Sequence, residues 1–545
     1  MRVIFYILFT ITMIPKLLEA AESIIQTIDI APVNTEMHGV SDQDGPQIPL
    51  DLWKGLSHSQ ISTLLKNLPT HQDNPTMALL QKNLMMASIK TPASTEEGEN
   101  ILKLRILQLE KSWHIKEAYH LAKGHPQVLG DDLWGWLDFS YYLQMENYQQ
   151  ALTIIKEYLA KNPESALWTK AMVGLQLLKG EKEAALLGLS LLEEKPSTGG
   201  DSFITLAKTM AQGNLLSDDF EPGDMLELKL WLKGRDIKTL PEKFLPTVLE
   251  SKDFKALDAK DKLLLAEEAF KKGKLSVEKL KAIYQEHGHE EKPLILPPKP
   301  SAQAVTLPPV PFDWEKNDPI VRAQLYTKIH ETTDIPQKAL LISQLIQHTL
   351  KYELHHLGHV ILDHIKTLSP EEALRGHAPF FVQVLLHHHE QDLAIKWLSL
   401  VSLTEKKSMA PFILIMVDNL SLETKQKLFS HWYEESHAEK KDPQKVLMVL
   451  GTFEAIVPGI TAYRGASLPH PQETSHLGSH ALLWQLQFAL SQQKGMALVY
   501  TLILAKEVLK TEHDSLLPYV VYALKTLGYD KEAKTLALQT ILKHS

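Results

Sequence analysis

The chain contains no cysteine in 545 residues. That excludes disulfides, thiolate-bound zinc, iron–sulfur clusters, a thiol nucleophile and a lipid-modified N-terminal cysteine. Stability therefore has to come from packing. Glycine is scarce, at 25 residues, and falls mostly between apolar periodic segments, which argues against a sheet-rich enzyme threaded with tight turns. Beyond the N-terminus no apolar run is long enough to cross a bilayer, so no transmembrane segment is expected in the mature chain. No long basic stripe occurs and the formal charge is −9, so nucleic acid is not an expected partner. Phosphate-cradling GxxxxGK[ST], dinucleotide-binding GxGxxG, the GxSxG elbow and HExxH are all missing. Ser276-x-x-Lys279 and Ser491-x-x-Lys494 match a penicillin-binding spacing, but no Lys-Thr-Gly follows either.

What is present reads as an exported helical protein. Hydrophobic residues make up 44% and charged residues 23%, ordinary for a folded chain. The length exceeds one compact core and sets an expectation of two or three units. Met1-Arg2 is a short basic start, Val3 to Ile14 carries no charge, and Leu18-Glu19-Ala20 ends on a small residue. This pattern predicts a secretory signal peptide over 1–20 and a periplasmic or secreted location. Residues 21–49 are polar and expected to be disordered. The 25 histidines titrate near pH 6.5, so partner binding is expected to depend on mild acid.

Helical periodicity starts at Asp51-Leu52-Trp53 and is clearest from Asp132 to Pro196, where each segment carries apolar residues three and four apart. Asn147-Tyr148, Ala151, Ile155 and Pro163 mark a turn, a small residue, an apolar residue and a closing proline. Trp168, Gly180, Ala184 and Pro196 repeat much of that pattern. Over about 132–198 the chain resembles the tetratricopeptide-repeat family of helical hairpins. The first unit lacks the family's glycine on its first helix, and Gly188 stands where the second unit should carry a bulky residue. The resemblance implies an all-α solenoid of stacked helical hairpins, with Ala151 and Ala184 letting helices approach closely. Eight prolines between Lys292 and Pro319 forbid a continuous helix there. The expected organisation is therefore an N-terminal helical-repeat domain over 50–290, a Pro-rich linker over 291–319 and a C-terminal helical domain over 320–545. The segment 457–478 interrupts the second half as a long loop.

The same resemblance places a partner-binding concave face on the first helix of each pair. Its residues would be Trp136, Ser140, Leu143 and Gln144, then Thr169, Val173 and Gln176. The likeness to lytic transglycosylases stops at their helical superstructure, because Glu250-Ser251 and Glu435-Ser436 lack the family's downstream Gly-Leu-Met-Gln. A rival reading uses His355, His359 and Asp363, spaced four apart along one helix face, as two imidazoles and a carboxylate for a borderline metal in a hydrolase. The bland reading of that stretch is a polar helix face over a core stripe of Leu354, Leu357, Ile361 and Ile365. The expectation is a non-catalytic exported scaffold, without cofactor, that binds a protein or peptide. The alternatives are the metal-dependent hydrolase and a secreted effector.

Overall fold

The structure, a computed structural model, describes residues 37–40, 46–92, 99–194, 201–214, 220–233, 244–249, 252–289, 318–349, 354–438, 444–453, 477–511 and 516–544. Every secondary element among them is helical. The expected signal peptide and most of the segments 291–319 and 457–478 fall outside the described residues.

The first run of helices is α1 (His58–Lys66), α2 (Pro75–Met86), α3 (Ile101–Lys111), α4 (Ile115–Lys123), α5 (Asp131–Gln144) and α6 (Tyr148–Lys161). It continues through α7 (Ala166–Lys179), α8 (Lys182–Glu193), α9 (Asp201–Ala211) and α10 (Met225–Leu232). Then come α11 (Leu245–Leu249), α12 (Lys252–Ala256), α13 (Ala259–Lys271) and α14 (Val277–His287). The later run is α15 (Pro319–Glu331), α16 (Ile335–His348), α17 (Leu354–Lys366), α18 (Ala378–His387), α19 (Gln391–Leu398), α20 (Leu403–Ser408) and α21 (Ala410–Met416). It ends with α22 (Leu422–Ala438), α23 (Gln444–Leu450), α24 (Leu477–Gln492), α25 (Lys494–Thr511), α26 (Leu517–Thr526) and α27 (Asp530–His544). Helix starts are written into the sequence: Asn147, Ser165, Asp258, Asp318 and Asp334 each accept a first-turn amide, and Pro319 and Pro336 occupy positions that need no donor.

The hairpin turns share one backbone device. Trp113, Glu146, Gly180, Gly213, Gly273, His389 and Gly528 all have positive φ. The residue after each donates its amide to the carbonyl five positions earlier, at 2.8–3.0 Å. This is the Schellman closure of a helix C-terminus. The first four left-handed residues stand 33, 34 and 33 residues apart, so a regular backbone repeat runs from α3 to α9, longer than the stretch in which side chains reveal it. Three of the positions are not glycine, and each carries a strain of about 1–2 kcal/mol that packing has to offset. At Trp113 the indole packs edge-on against Phe244 at 5.1 Å.

Close approach within the repeat depends on small residues, one of them not where the pattern put it. Ala151 is fully buried as expected, but in the second unit Ala185 takes that place and Ala184 faces solvent. The Glu181 cap starts α8 so that position 185, not 184, points inward. Gly135 lies under the Tyr158 ring, where a Cβ would sit 2.3 Å from the ring. Tyr158 in turn stacks on Trp168 at 4.3 Å.

The regions on the two sides of the proline-rich segment are not separate bodies. α15 packs on α13 and α14, and α17 touches all three. At the centre of that seam Glu267 accepts from Arg322 Nε at 2.9 Å and from the Tyr284 hydroxyl at 2.6 Å, with Arg322 Nη2 on its other oxygen. All three residues are 1–2% exposed. The first and last described helices also meet: α25 packs on α1 and α2, and α27 on α2. Asn74 Nδ2 donates to Gln539 Oε1 at 2.7 Å, Gln72 Nε2 to the Leu502 carbonyl at 2.9 Å, and Lys506 pairs with Asp73 at 2.7 Å. One apolar core consequently runs from Leu52 to Ile541. Part of the stretch expected to be disordered is held as well. The buried Arg105 guanidinium needs acceptors and donates to the carbonyls of Met85, Ala87 and His38 at 2.6–2.9 Å, while Val40 N bonds Met86 O at 2.8 Å.

Candidate interaction surface

The first helices of the repeat units line a groove, and the chain fills it with its own helix. α10 packs against α5, α7 and α9. All eight of its residues, Met225 to Leu232, are buried. Its sequence, MLELKLWL, carries apolar residues all round the helix, with Glu227 and Lys229 its two charged side chains. Asp224 caps it by accepting from Glu227 N at 2.9 Å. Gly174 on α7 makes room, since a Cβ there would meet Leu226 at 2.6 Å.

The charges that α10 carries into this groove are all met. Lys170 Nζ lies 2.6 Å from Asp224 and 2.7 Å from Glu227, and Gly223 N donates to the other Glu227 oxygen at 2.8 Å. Lys229 pairs with Glu146, the left-handed turn residue of the hairpin α5–α6, at 3.3 Å. Burial works against the Lys170 charge, yet Asp224 and Glu227 outweigh it and hold its pKa above the ordinary lysine value. Nearby, burial and then Asp224 push the Glu110 carboxyl up to about 7.

Most of the residues expected on a concave face are buried. Trp136, Ser140, Leu143, Gln144 and Val173 are buried, and Thr169 and Gln176 are half-buried. Trp136 and Phe139 pack around Trp168, and the Thr169 hydroxyl donates to the Ser165 carbonyl of its own helix at 2.7 Å. These residues are interhelical core, because α10 and the neighbouring helices cover them. The largely apolar run 225–232, broken only by Glu227 and Lys229, was the available signal for this outcome.

The histidine region is brought together differently from the expected ligand set. The His355 side chain lies outside the described residues. His359 keeps an exposed edge and sits 3.7 Å, centroid to centroid, from the His388 ring. The surrounding protein pushes its pKa down to about 4, burial first and then Lys531 and Lys281. Asp363 is ion-paired to Lys281 at 2.6 Å, and that hydrogen bond holds its pKa below the usual carboxylate range. Two lysines thus face the set, an unfavourable field for a divalent cation. No group of three metal-binding side chains occurs among the described residues. His389 Nε2 contacts the Thr535 hydroxyl at 2.9 Å, and Glu390 pairs with Lys366 at 2.6 Å. Ser276 of the Ser-x-x-Lys pair is the cap of α14, accepting from Lys279 N at 3.3 Å.

The outward faces carry what the groove does not. On α24, Trp484 and Phe488 are one turn apart and 74% and 59% exposed. Leu486 and Ala489 anchor the inner side of that helix, and Tyr522 is exposed on the adjacent α26. The helix sequence LGSHALLWQLQFALSQ contains no Lys, Arg, Asp or Glu. On α8, Leu187 and Leu191 are likewise exposed one turn apart. No helix among the described residues is long and apolar enough to cross a membrane. Comparison with family models, with curated proteins and with solved structures gave no match for this chain.

Proposed function

We propose that this chain is an exported, non-catalytic scaffold that holds another protein through its outward-facing helices, with α24 as the principal contact. The observation that carries the reading is the exposed Trp484–Phe488 pair on a helix without charged side chains. Large aromatics in solvent contribute nothing to folding, and they are the side chains that dominate binding when a partner covers them. The regular backbone repeat from α3 to α9 supports a helical-repeat architecture of the tetratricopeptide kind. In this reading α10, packed on α5, α7 and α9, fills the concave side and directs a partner to the outside. Export rests on the pattern of the first twenty residues.

The test is a cross-linked capture from the native envelope, run in parallel with the intact chain, with Trp484→Ser/Phe488→Ser and with Leu187→Ser/Leu191→Ser. The reading expects a dominant partner whose recovery falls about ten-fold with the first double variant, as loss of one anchor implies, and is retained by the second. Equal recovery by all three proteins would remove α24 as the contact. N-terminal sequencing of the protein from a periplasmic fraction should begin at Ala21; a chain still starting at Met1 in the cytosol would end the export part of the proposal.

A further inference from the structure

Helix α15 carries the seam between the two runs of helices, and its start is held from α16 by a histidine. His348, the last residue of α16, is 3% exposed. Its Nε2 accepts the backbone N–H of Asp318 at 3.2 Å. Asp318 is the cap of α15: its carboxylate accepts from Ile320 N at 2.9 Å, and its carbonyl accepts from Arg322 N at 3.2 Å. In a capping box the third helical residue would accept the cap's own amide. Here that residue is Val321, which has no acceptor on its side chain, and the acceptor comes from α16 instead.

That bond sets the protonation state of the ring. A nitrogen that accepts must keep its lone pair, so His348 is neutral with its proton on Nδ1. An imidazolium has a donor at both nitrogens and cannot make the bond. Protonation also sets a second positive charge close to Arg322, one turn along α15 from Asp318. Arg322 is already committed: it is 1% exposed and holds Glu267 across the seam, with Nε at 2.9 Å.

The charges that bear on His348 come from α15: Arg322 repels its proton and the Asp318 carboxylate attracts it. The histidines on the other elements packed against α16 act elsewhere along that helix. His377, on the turn 372–377, meets Ser343, and His364 on α17 bears on Lys338 near the start of α16. Burial first and Arg322 second hold the His348 pKa below the ordinary histidine value, against the pull of Asp318.

We propose that this seam is an acid-responsive joint: a proton taken up by His348 breaks its hold on Asp318, repels Arg322, and lets the start of α15 part from α16. The folded ring binds its proton more weakly than the unfolded one, so the joint is shut above pH 6.5 and loosens as pH falls below it. Near neutral pH the helices on the two sides of the proline-rich segment hold one another fast. In mild acid they gain play at α15.

The experiment is hydrogen exchange of the intact protein at pH 7.5 and 5.5, corrected for the intrinsic pH dependence of amide exchange. It compares 318–331 with 166–179 of α7, a helix that contains no histidine. Lowering the pH across the ordinary histidine value should raise opening of the joint about ten-fold. Wild type is therefore expected to exchange about ten-fold faster over 318–331, with a smaller change over 166–179. His348→Gln offers Asp318 N an acceptor but takes up no proton, so its protection should match wild type at pH 7.5 and stay level to pH 5.5. His348→Leu, with no acceptor, should be open at both values. A wild-type change in 318–331 under about two-fold, an equal change in 166–179, or a His348→Gln protein with the wild-type pH response would each overturn the proposal. Should His348→Gln fail to fold, the wild-type comparison of the two segments decides alone.

Discussion

Helices α10 and α24 are the two most informative segments to compare, because their fates run opposite to their composition. α24 contains no Lys, Arg, Asp or Glu and leaves Trp484 and Phe488 in solvent. α10 carries Glu227 and Lys229 and is buried at every residue. Apolarity alone does not decide which helix goes inside. α10 is buried because partners for its charges stand ready on helices it must touch: Lys170 for Asp224 and Glu227, and Glu146 for Lys229. Charges met in this way fix the register of a helix in its groove more sharply than leucines do. α24 has an inner stripe, with Leu486 and Ala489 on the core, and an outer face that no described residue covers at Trp484 and Phe488.

The comparison breaks most forcefully at Lys170. Lys170→Met leaves Glu227, 4% exposed, buried without its counter-ion. The expected loss in urea unfolding is about 3 kcal/mol. A loss under about 1 kcal/mol, the scale of an exposed pair, would mean the groove is wet and α10 loosely held.

Acid supplies a smaller effect and acts on the core rather than on the outer face. Burial lowers the His377 pKa to about 4, with Nδ1 2.9 Å from Ser343 Oγ. The folded value lies below the ordinary 6.5, so unfolding takes up a proton between the two. Stability from this group is intact above pH 6.5 and is lost as pH falls from there towards 4. At pH 5.5 the contribution of His377 is a destabilisation of about 1 kcal/mol, which His377→Gln should remove. A melting temperature with the same pH slope in wild type and variant would contradict it.

The smallest stability effect is expected on α24. Trp484→Ser/Phe488→Ser should change the unfolding free energy of the isolated protein by no more than about 0.5 kcal/mol, as surface substitutions do. A loss of several kcal/mol would show that these rings pack within the chain and have no surface free for a partner.

How far the sequence can be read follows the range of the interactions involved. Caps and turns are local, so Asn147 and Gly180 announced their hairpins directly. The repeat from α3 to α9 was only half visible, because its left-handed positions are filled by Trp113 and Glu146 as well as by glycine, and the bond that defines the turn belongs to the backbone. Ala184 and Ala185 differ by one position, within the slack of a 3.6-residue period once α8 starts at Lys182. The filling of the groove was not legible in pairing terms, since Lys170 meets partners 54 and 57 residues away. Its trace in the composition is that all of 225–232 except Glu227 and Lys229 is apolar. Of the candidate concave residues, Trp136, Leu143 and Val173 are on first helices that α10 or its neighbours pack against, and they are buried. The seam of Glu267, Tyr284 and Arg322 spans the proline-rich segment, where composition alone argues for separation.

The most direct measurement is hydrogen exchange of the intact protein, comparing amides of 225–232 with those of 477–492. The account predicts that the α10 amides exchange only through global unfolding, as the slowest in the chain, because every residue is buried and Glu227 and Lys229 hold it by ion pairs. The outer helix should exchange faster, by local opening. Amides of 225–232 exchanging as fast as those of 477–492 would contradict the central claim, since the groove would then be open to a partner and the outer face would lose its standing as the contact.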